Sequence, residues 1–203
     1  MMFNRYITYT DINSEKKEVK IYIDGNVFTV GLTDFENESI PNSGEIDELM
    51  FDIIVRLETK LKCMKKAVKA LAYSAHNSSK LKQKLYKDFP RDIVDEIVET
   101  LASKNYIDDN YLASRAAESC CYAKLYGPRR IRLHLKSKGY SSSDIDDAIS
   151  LIPEDDFFNN MDKLQHKKFK SSIDDINNDQ LKELFYKYGY TDSQIYEYLQ
   201  SYR

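Results

Sequence analysis

Cations at helical spacing are the side chains in this sequence best placed to do chemistry. Arg129, Arg132 and Lys136 stand at i, i+3 and i+7, one stripe on a helix, while Ile131 and Leu135 stand four apart on a different face. Between Ser119 and Ser143 lie six basic residues, Lys124, Arg129, Arg130, Arg132, Lys136 and Lys138, and no Asp or Glu. The window Lys60–Arg91 holds ten Lys/Arg, among them Lys80, Lys82 and Lys84, against Asp88 alone. Cations gathered in this way suit the phosphates of a nucleic acid or an acidic protein groove. A merely solvated face would intersperse acids among them. Tyr122, Tyr126 and Tyr140 lie beside the cations, where their rings can stack on unpaired bases. For Tyr140 core packing is the better reading, because its equivalent fifty residues on, Tyr190, lies outside the basic segment.

Other chemistries find little support. The chain has no Gly-x-x-x-x-Gly-Lys-Ser/Thr loop, no Gly-x-Gly-x-x-Gly and no Gly-x-Ser-x-Gly. His76, His134 and His166 are scattered and share no metal or catalytic spacing. The acidic pairs Asp108-Asp109, Asp146-Asp147, Asp155-Asp156 and Asp174-Asp175 fall at or near expected helix starts, where carboxylates cap free N–H groups and meet the positive end of the helix dipole. The expectation is therefore no catalytic residue, no metal site and no cofactor.

Composition bounds the class. The 203 residues are 31% charged and 12% aromatic with only six Gly and four Pro, which suits a helix-rich soluble protein. Sixteen Tyr against nine Phe and no Trp can complete a thin helical core while keeping hydroxyls in water. Cys63, Cys120 and Cys121 make a poor disulfide framework and match no zinc spacing. Residues 1–25 carry charges throughout, so no signal peptide is read there, and no apolar run reaches membrane-spanning length. A reduced, cytoplasmic protein without a membrane partner is expected. The net charge of −3 hides segregation, with −7 over residues 1–59, +10 over 60–143 and −6 over 144–203. Such separation speaks about partners rather than fold.

The elements that must position the cations begin with strands. Arg5–Ile12 alternates imperfectly, Glu18–Ile23 sets Val19, Ile21 and Ile23 against Lys20 and Tyr22, and Asp24-Gly25 is a two-residue turn into Asn26–Val30. A polar connection, 33–44, follows. From Glu45 the period is helical, with one stripe of Ile46, Leu49, Met50, Ile53 and Ile54 and another of Leu57, Leu61, Met64, Val68 and Leu71. Asn77 and Ser78 can cap a short helix carrying Leu81 and Leu85, and Pro90 opens a helix carrying Ile93, Ile97 and Leu101. Gly127 and Pro128 start the basic helix, and Gly139 can take the left-handed conformation that ends it.

Self-similarity decides the architecture. Ile131, Leu135, Gly139, Tyr140, Ile145 and Ile149 recur fifty residues later as Leu181, Phe185, Gly189, Tyr190, Ile195 and Leu199. A looser copy lies upstream in Leu81, Leu85, Phe89, Ile93 and Ile97. Such a period marks stacked units, none able to bury its apolar face alone. First helices are expected at Leu57–Ser74, Asp109–Leu125 and Asp156–Lys168. The expected fold is mainly α: three tandem three-helix repeats in an elongated curved solenoid, with a small N-terminal antiparallel β-hairpin segment. The divisions are 1–44 (β-rich segment), 45–105 (leading helix and first repeat), 106–152 (second, basic repeat) and 153–203 (third repeat).

Asp108-Asp109 with Leu112-Ala113, then Gly127-Pro128-Arg129-Arg130-Ile131, Leu135 and Lys138-Gly139-Tyr140, resembles the RecX family of regulatory proteins, which modulate the recombinase RecA. The resemblance extends over nearly the whole chain, including the N-terminal strands and the long helix ending in Ala70-Leu71-Ala72-Tyr73. It implies a non-enzymatic, monomeric protein that lodges in the groove of the RecA–DNA filament, restrains ATP hydrolysis and strand exchange, and also binds single- or double-stranded DNA directly but more weakly. One departure stands out. Where the family's first repeat usually shows Arg-x-Arg-Ser, this chain has Ser74-Ala75-His76-Asn77, with Lys80, Lys82 and Lys84 close by as replacement cations.

Two other classes compete with this reading. A stand-alone nucleic-acid-binding helical-repeat protein accounts for the basic middle but not for the acidic flanks. A general helical-repeat adaptor does not require the charge segregation at all.

Overall fold

The computed structural model describes residues 5–169 and 176–201. Strands β1 (Arg5–Asn13), β2 (Glu18–Ile23) and β3 (Asn26–Gly31) come first, followed by the short helix α1 (Leu32–Asn37) and strand β4 (Gly44–Ile46). Nine further helices follow among the described residues: α2 (Glu48–Tyr73), α3 (Ser78–Leu85), α4 (Arg91–Ser103), α5 (Asp109–Lys124), α6 (Pro128–Ser137), α7 (Ser142–Ser150), α8 (Glu154–Phe169), α9 (Asn178–Tyr188) and α10 (Asp192–Ser201). The protein is thus mainly helical with a small N-terminal antiparallel sheet. It forms two compact units, one of Met1–His76 with Leu81–Tyr106 and the other of Asn77–Lys80 with Ile107–Arg203.

In the first unit Asp24 and Gly25 both take positive φ, 47° and 81°, the conformation a two-residue hairpin needs, and β2 and β3 pair around them. The sheet order is β3-β2-β1-β4, so the hairpin is extended to four strands. The added strand lies at the end of the segment read as a polar connection. Arg5, Tyr6 and Ile7 pair there with Ile46, Glu45 and Gly44, and α1 buries Phe35 in the same stretch. Alternation along β2 behaves as expected, with Val19, Ile21 and Ile23 inward. They meet Ile7, Val30, Ile40 and Ile46, together with Ile54 and Leu57 of α2.

Helix α2 corrects one expectation. A leading helix followed by a separate helix from Leu57 is in fact one helix of 26 residues. No Gly or Pro interrupts 48–73, and buried Ile54, Leu57, Cys63, Ala67 and Ala70 continue along it. Ile46 belongs to β4, and Asp47 caps the helix by accepting the Met50 N–H at 2.8 Å. Leu49 and Val68, assigned to the apolar stripes, are exposed on its outer side. Pro90 precedes α4, which buries Ile93, Val94, Ile97, Val98 and Leu101.

The second unit is built from two helix trios, α5–α7 and α8–α10, preceded by the first turn of α3. Helix α5 starts at Asp108, whose carboxylate accepts the Tyr111 N–H at 2.8 Å. Its buried residues are small (Ala113, Ala117, Cys120 and Cys121), which lets neighbouring helices approach its backbone closely. One core joins them to Ile131, Leu135 and Ile145 from the first trio and to Leu181, Phe185, Tyr190 and Ile195 from the second. These are positions of the fifty-residue match, and Ile149, Tyr140 and Leu199 pack partly buried against the same core.

Candidate functional site

Both ends of α6 are fixed by backbone and side-chain hydrogen bonds. At its start the Gly127 N–H donates to the Tyr188 carbonyl at 2.8 Å and the Arg129 N–H to the Gly189 carbonyl at 2.9 Å. Pro128 has no N–H to satisfy. The first donors of α6 thus meet the last acceptors of α9, groups that a helix leaves unpaired at its own ends. A Cβ on Gly127 would lie 2.6 Å from the Gly189 backbone, so the approach requires glycine. At the other end Gly139 takes φ +85° and closes the helix. There the Asn77 side-chain amide donates to the Lys138 carbonyl at 3.0 Å, and the Asn77 Oδ1 accepts the Lys80 N–H at 2.9 Å. Asn77 is therefore the N-cap of α3 and a lid on the C-terminus of α6 at once.

With Ile131 and Leu135 fully buried, α6 turns Arg129, Arg132 and Lys136 to solvent. The three are not equivalent. Arg129 pairs with Asp192 at the start of α10, and the same carboxylate accepts the Tyr186 hydroxyl at 2.8 Å. Hydrogen bonds from Arg129 first and Tyr186 second hold the Asp192 carboxyl below its usual range. Arg132 pairs with Asp146 of α7. Both pairs are about half exposed, so they steady the guanidinium groups more than they stabilise the fold. Lys136 and Lys138 are exposed and make no ion pair among the described residues. The Lys124 ammonium lies 5.6 Å from the Tyr126 ring centre.

Arg130 has a different place. Its guanidinium lies over Tyr126 at 4.5 Å, stands 5.8 Å from Tyr188, and donates to the Lys187 carbonyl. It seals the C-terminus of α9 from inside the α6–α9 junction, and only part of it reaches solvent. Tyr126 is likewise taken up edge-on against Tyr188, and Tyr140 packs on the core, as its counterpart Tyr190 does. The Tyr122 hydroxyl donates to Asp156 at 2.8 Å, which raises its own pKa to about 12.

The cations of α3 divide in the same way. Lys82 is tied to Asp95 at 2.7 Å, a carboxylate that also accepts the Tyr86 hydroxyl at 2.7 Å and is held low by Lys82 first and Tyr86 second. Lys80 and Lys84 are exposed and make no ion pair among the described residues.

The acidic pairs serve the fold, though not always as caps. Asp108 caps α5, and Asp109 accepts the Ser78 N–H at 2.8 Å. Asp155 and Asp156 lie in the first turn of α8. Asp146 and Asp147 instead sit in the middle of α7, bound to Arg132 and Asn110. Asp174-Asp175 lies outside the described residues. His134 is partly buried, which lowers its pKa, with Lys124 and Lys138 adding to the effect. Asp146, Asp192 and Lys187 are the partners that sequence reasoning missed. The fifty-residue match aligned apolar positions and carried no signal for these polar ones.

A small antiparallel sheet followed by helix trios, with a basic helix clamped between the ends of two others, defines a helical-repeat type of scaffold. No protein-family model matches the sequence. The regulatory protein RecX of Vibrio cholerae is 32% identical over 126 residues, 61% of this chain and 81% of that protein. The regulatory protein RecX of Clostridioides difficile is 27% identical over 165 residues, 79% and 78% of the two chains. Some relatives of the same name are longer, and the chain spans 55% of their length. A crystal structure of a regulatory protein RecX superposes with a TM-score of 0.77 at 25% identity, over 97% of this chain and 99% of that one. The chain belongs to the RecX family of regulatory proteins.

Proposed function

We propose that this protein regulates the RecA recombinase without itself being an enzyme. It lodges in the groove of the RecA–DNA filament and restrains filament growth, ATP hydrolysis and strand exchange, acting as a cytoplasmic monomer. The observation that carries this reading is α6. A helix held at both ends presents Arg129, Arg132 and Lys136 from one exposed face, in a chain that belongs to the RecX family. A cation on a fixed helix loses little freedom on binding, so charge on this face converts efficiently into affinity for phosphates or an acidic groove.

The test is RecA ATPase and filament binding measured with wild type and with Arg129→Gln/Arg132→Gln/Lys136→Gln. Inhibition and binding should weaken together in a protein that still folds. Direct DNA binding is the second reading, favoured by Lys80 and Lys84 of α3, which are exposed and make no ion pair among the described residues.

A further inference from the structure

The C-terminal half of α2 and the end of α3 border an open groove of about 760 Å³, lined among others by Lys65, Lys66, Lys69, Ala70, Tyr73 and Lys84. Among the described residues no carboxylate lines it. Lys65 pairs with Glu18 at 2.8 Å and Lys66 with Asp88 at 2.6 Å, so these two are anchored from outside. Lys69 and Lys84 are exposed and make no ion pair among the described residues. Tyr73, on the last residue of α2, is 90% exposed and makes no ring contact or hydrogen bond among the described residues. A single exposed aromatic is ordinary on a protein surface. A ring without a partner among the described residues, bordering a groove whose charged lining groups among those residues are all ammoniums, is a more specific arrangement.

The geometry points to this groove as a binding site for single-stranded nucleic acid, with a base stacked on Tyr73 and its flanking phosphates on Lys69 and Lys84. Aromatic rings accept any base because every base has a flat face, and lysines follow the backbone without reading sequence. A duplex satisfies the lysines but keeps its base faces stacked, which leaves Tyr73 without a function. An acidic peptide likewise uses the charge and not the ring. This site rests on the second reading above, direct DNA binding; it lies wholly in the first unit and needs neither α6 nor RecA, so its failure leaves the α6 reading untouched.

The test titrates the full chain, without RecA, into a labelled oligodeoxythymidine at several salt concentrations. Tyr73→Ala should weaken binding by about fivefold or more, whereas Tyr73→Phe retains it, because the stacking face is kept. Lys69→Gln/Lys84→Gln should also weaken binding and make the slope of log affinity against log salt shallower by about 1.4, at ~0.7 for each single-strand phosphate released. A 5-iodouracil oligomer should photo-crosslink to the peptide containing Tyr73. All these side chains are exposed, so the melting curves should match wild type.

Tyr73→Ala binding as wild type does, or a crosslink that maps elsewhere, would overturn the proposal. A hairpin duplex bound as tightly and independently of Tyr73 would reduce the groove to a phosphate-only surface. Polyglutamate displacing the oligomer at equal charge would assign it to an acidic protein. Absence of any binding would overturn it as well.

Discussion

Gly127 and Gly189 meet backbone to backbone, and α6 and α9 can share hydrogen bonds only because neither residue carries a side chain. A Cβ on Gly127 would fall 2.6 Å from Gly189 C and O and from Tyr190 N, and one on Gly189 would run into the Arg130 backbone. Gly189 also holds φ +85°, so its substitution adds backbone strain to the clash.

Gly127→Ala is therefore expected to destabilise the protein although it adds one methyl group to a helix start. The obstacle is backbone that cannot rotate away, so the cost should be about 1–3 kcal/mol, the range for overpacking. Chemical denaturation followed by helical circular dichroism measures it. An unchanged midpoint would mean that the two helix ends do not meet as described.

Leu135→Ala removes a fully buried side chain from the core shared by the two helix trios. The expected loss is about 2–5 kcal/mol, the range for such truncations. A thermal melt within error of wild type would contradict the equivalence of Leu135 with Phe185.

Cys63, Cys120 and Cys121 are free and buried. Burial pushes the Cys63 and Cys121 thiols up to about 11, and the Cys120 thiol shifts the same way for the same reason. Alkylation at neutral pH should thus be slow in the native protein and reach all three thiols after denaturation. A thiol pKa raised by folding means that the unfolded chain loses its proton first. The contribution of these residues is full below about pH 8.5 and is lost as pH rises toward the folded values. Denaturation midpoints measured across pH 8 to 11 should fall; a midpoint that rises, or fewer than three thiols in denatured fresh protein, would contradict the buried free state.

Much of this arrangement is legible in the sequence, for physical reasons that also mark where reading stops. Helix-start and helix-stop residues act locally, so Gly127-Pro128, Gly139, Asn77 and Pro90 reveal their roles without tertiary information. The fifty-residue match exposes the second unit's core because apolar positions must recur wherever the same packing recurs. A continuous α2 was harder to see, since two apolar stripes on one long helix look like two helices when different partners cover them. β4 is three residues long and is specified by its pairing with Arg5–Ile7 rather than by its own composition. Among the cations, spacing separates Arg129, Arg132 and Lys136 from the buried edge. It cannot reveal that Arg130, one residue away, folds inward over Tyr126 to reach Lys187.

The exposed cations of α6 are proposed to carry regulation of RecA while contributing little to the fold. The direct measurement is co-sedimentation with RecA filaments on single-stranded DNA across a salt series, comparing wild type with Arg129→Gln/Arg132→Gln/Lys136→Gln. Half-exposed pairs to Asp192 and Asp146 contribute little to folding because water screens them, so the triple variant should melt close to wild type. Its filament affinity should fall most at low salt, with a shallower dependence on salt if phosphates are the ligands. A folded triple variant that binds and inhibits the filament as wild type does would remove α6 from the mechanism and contradict the account.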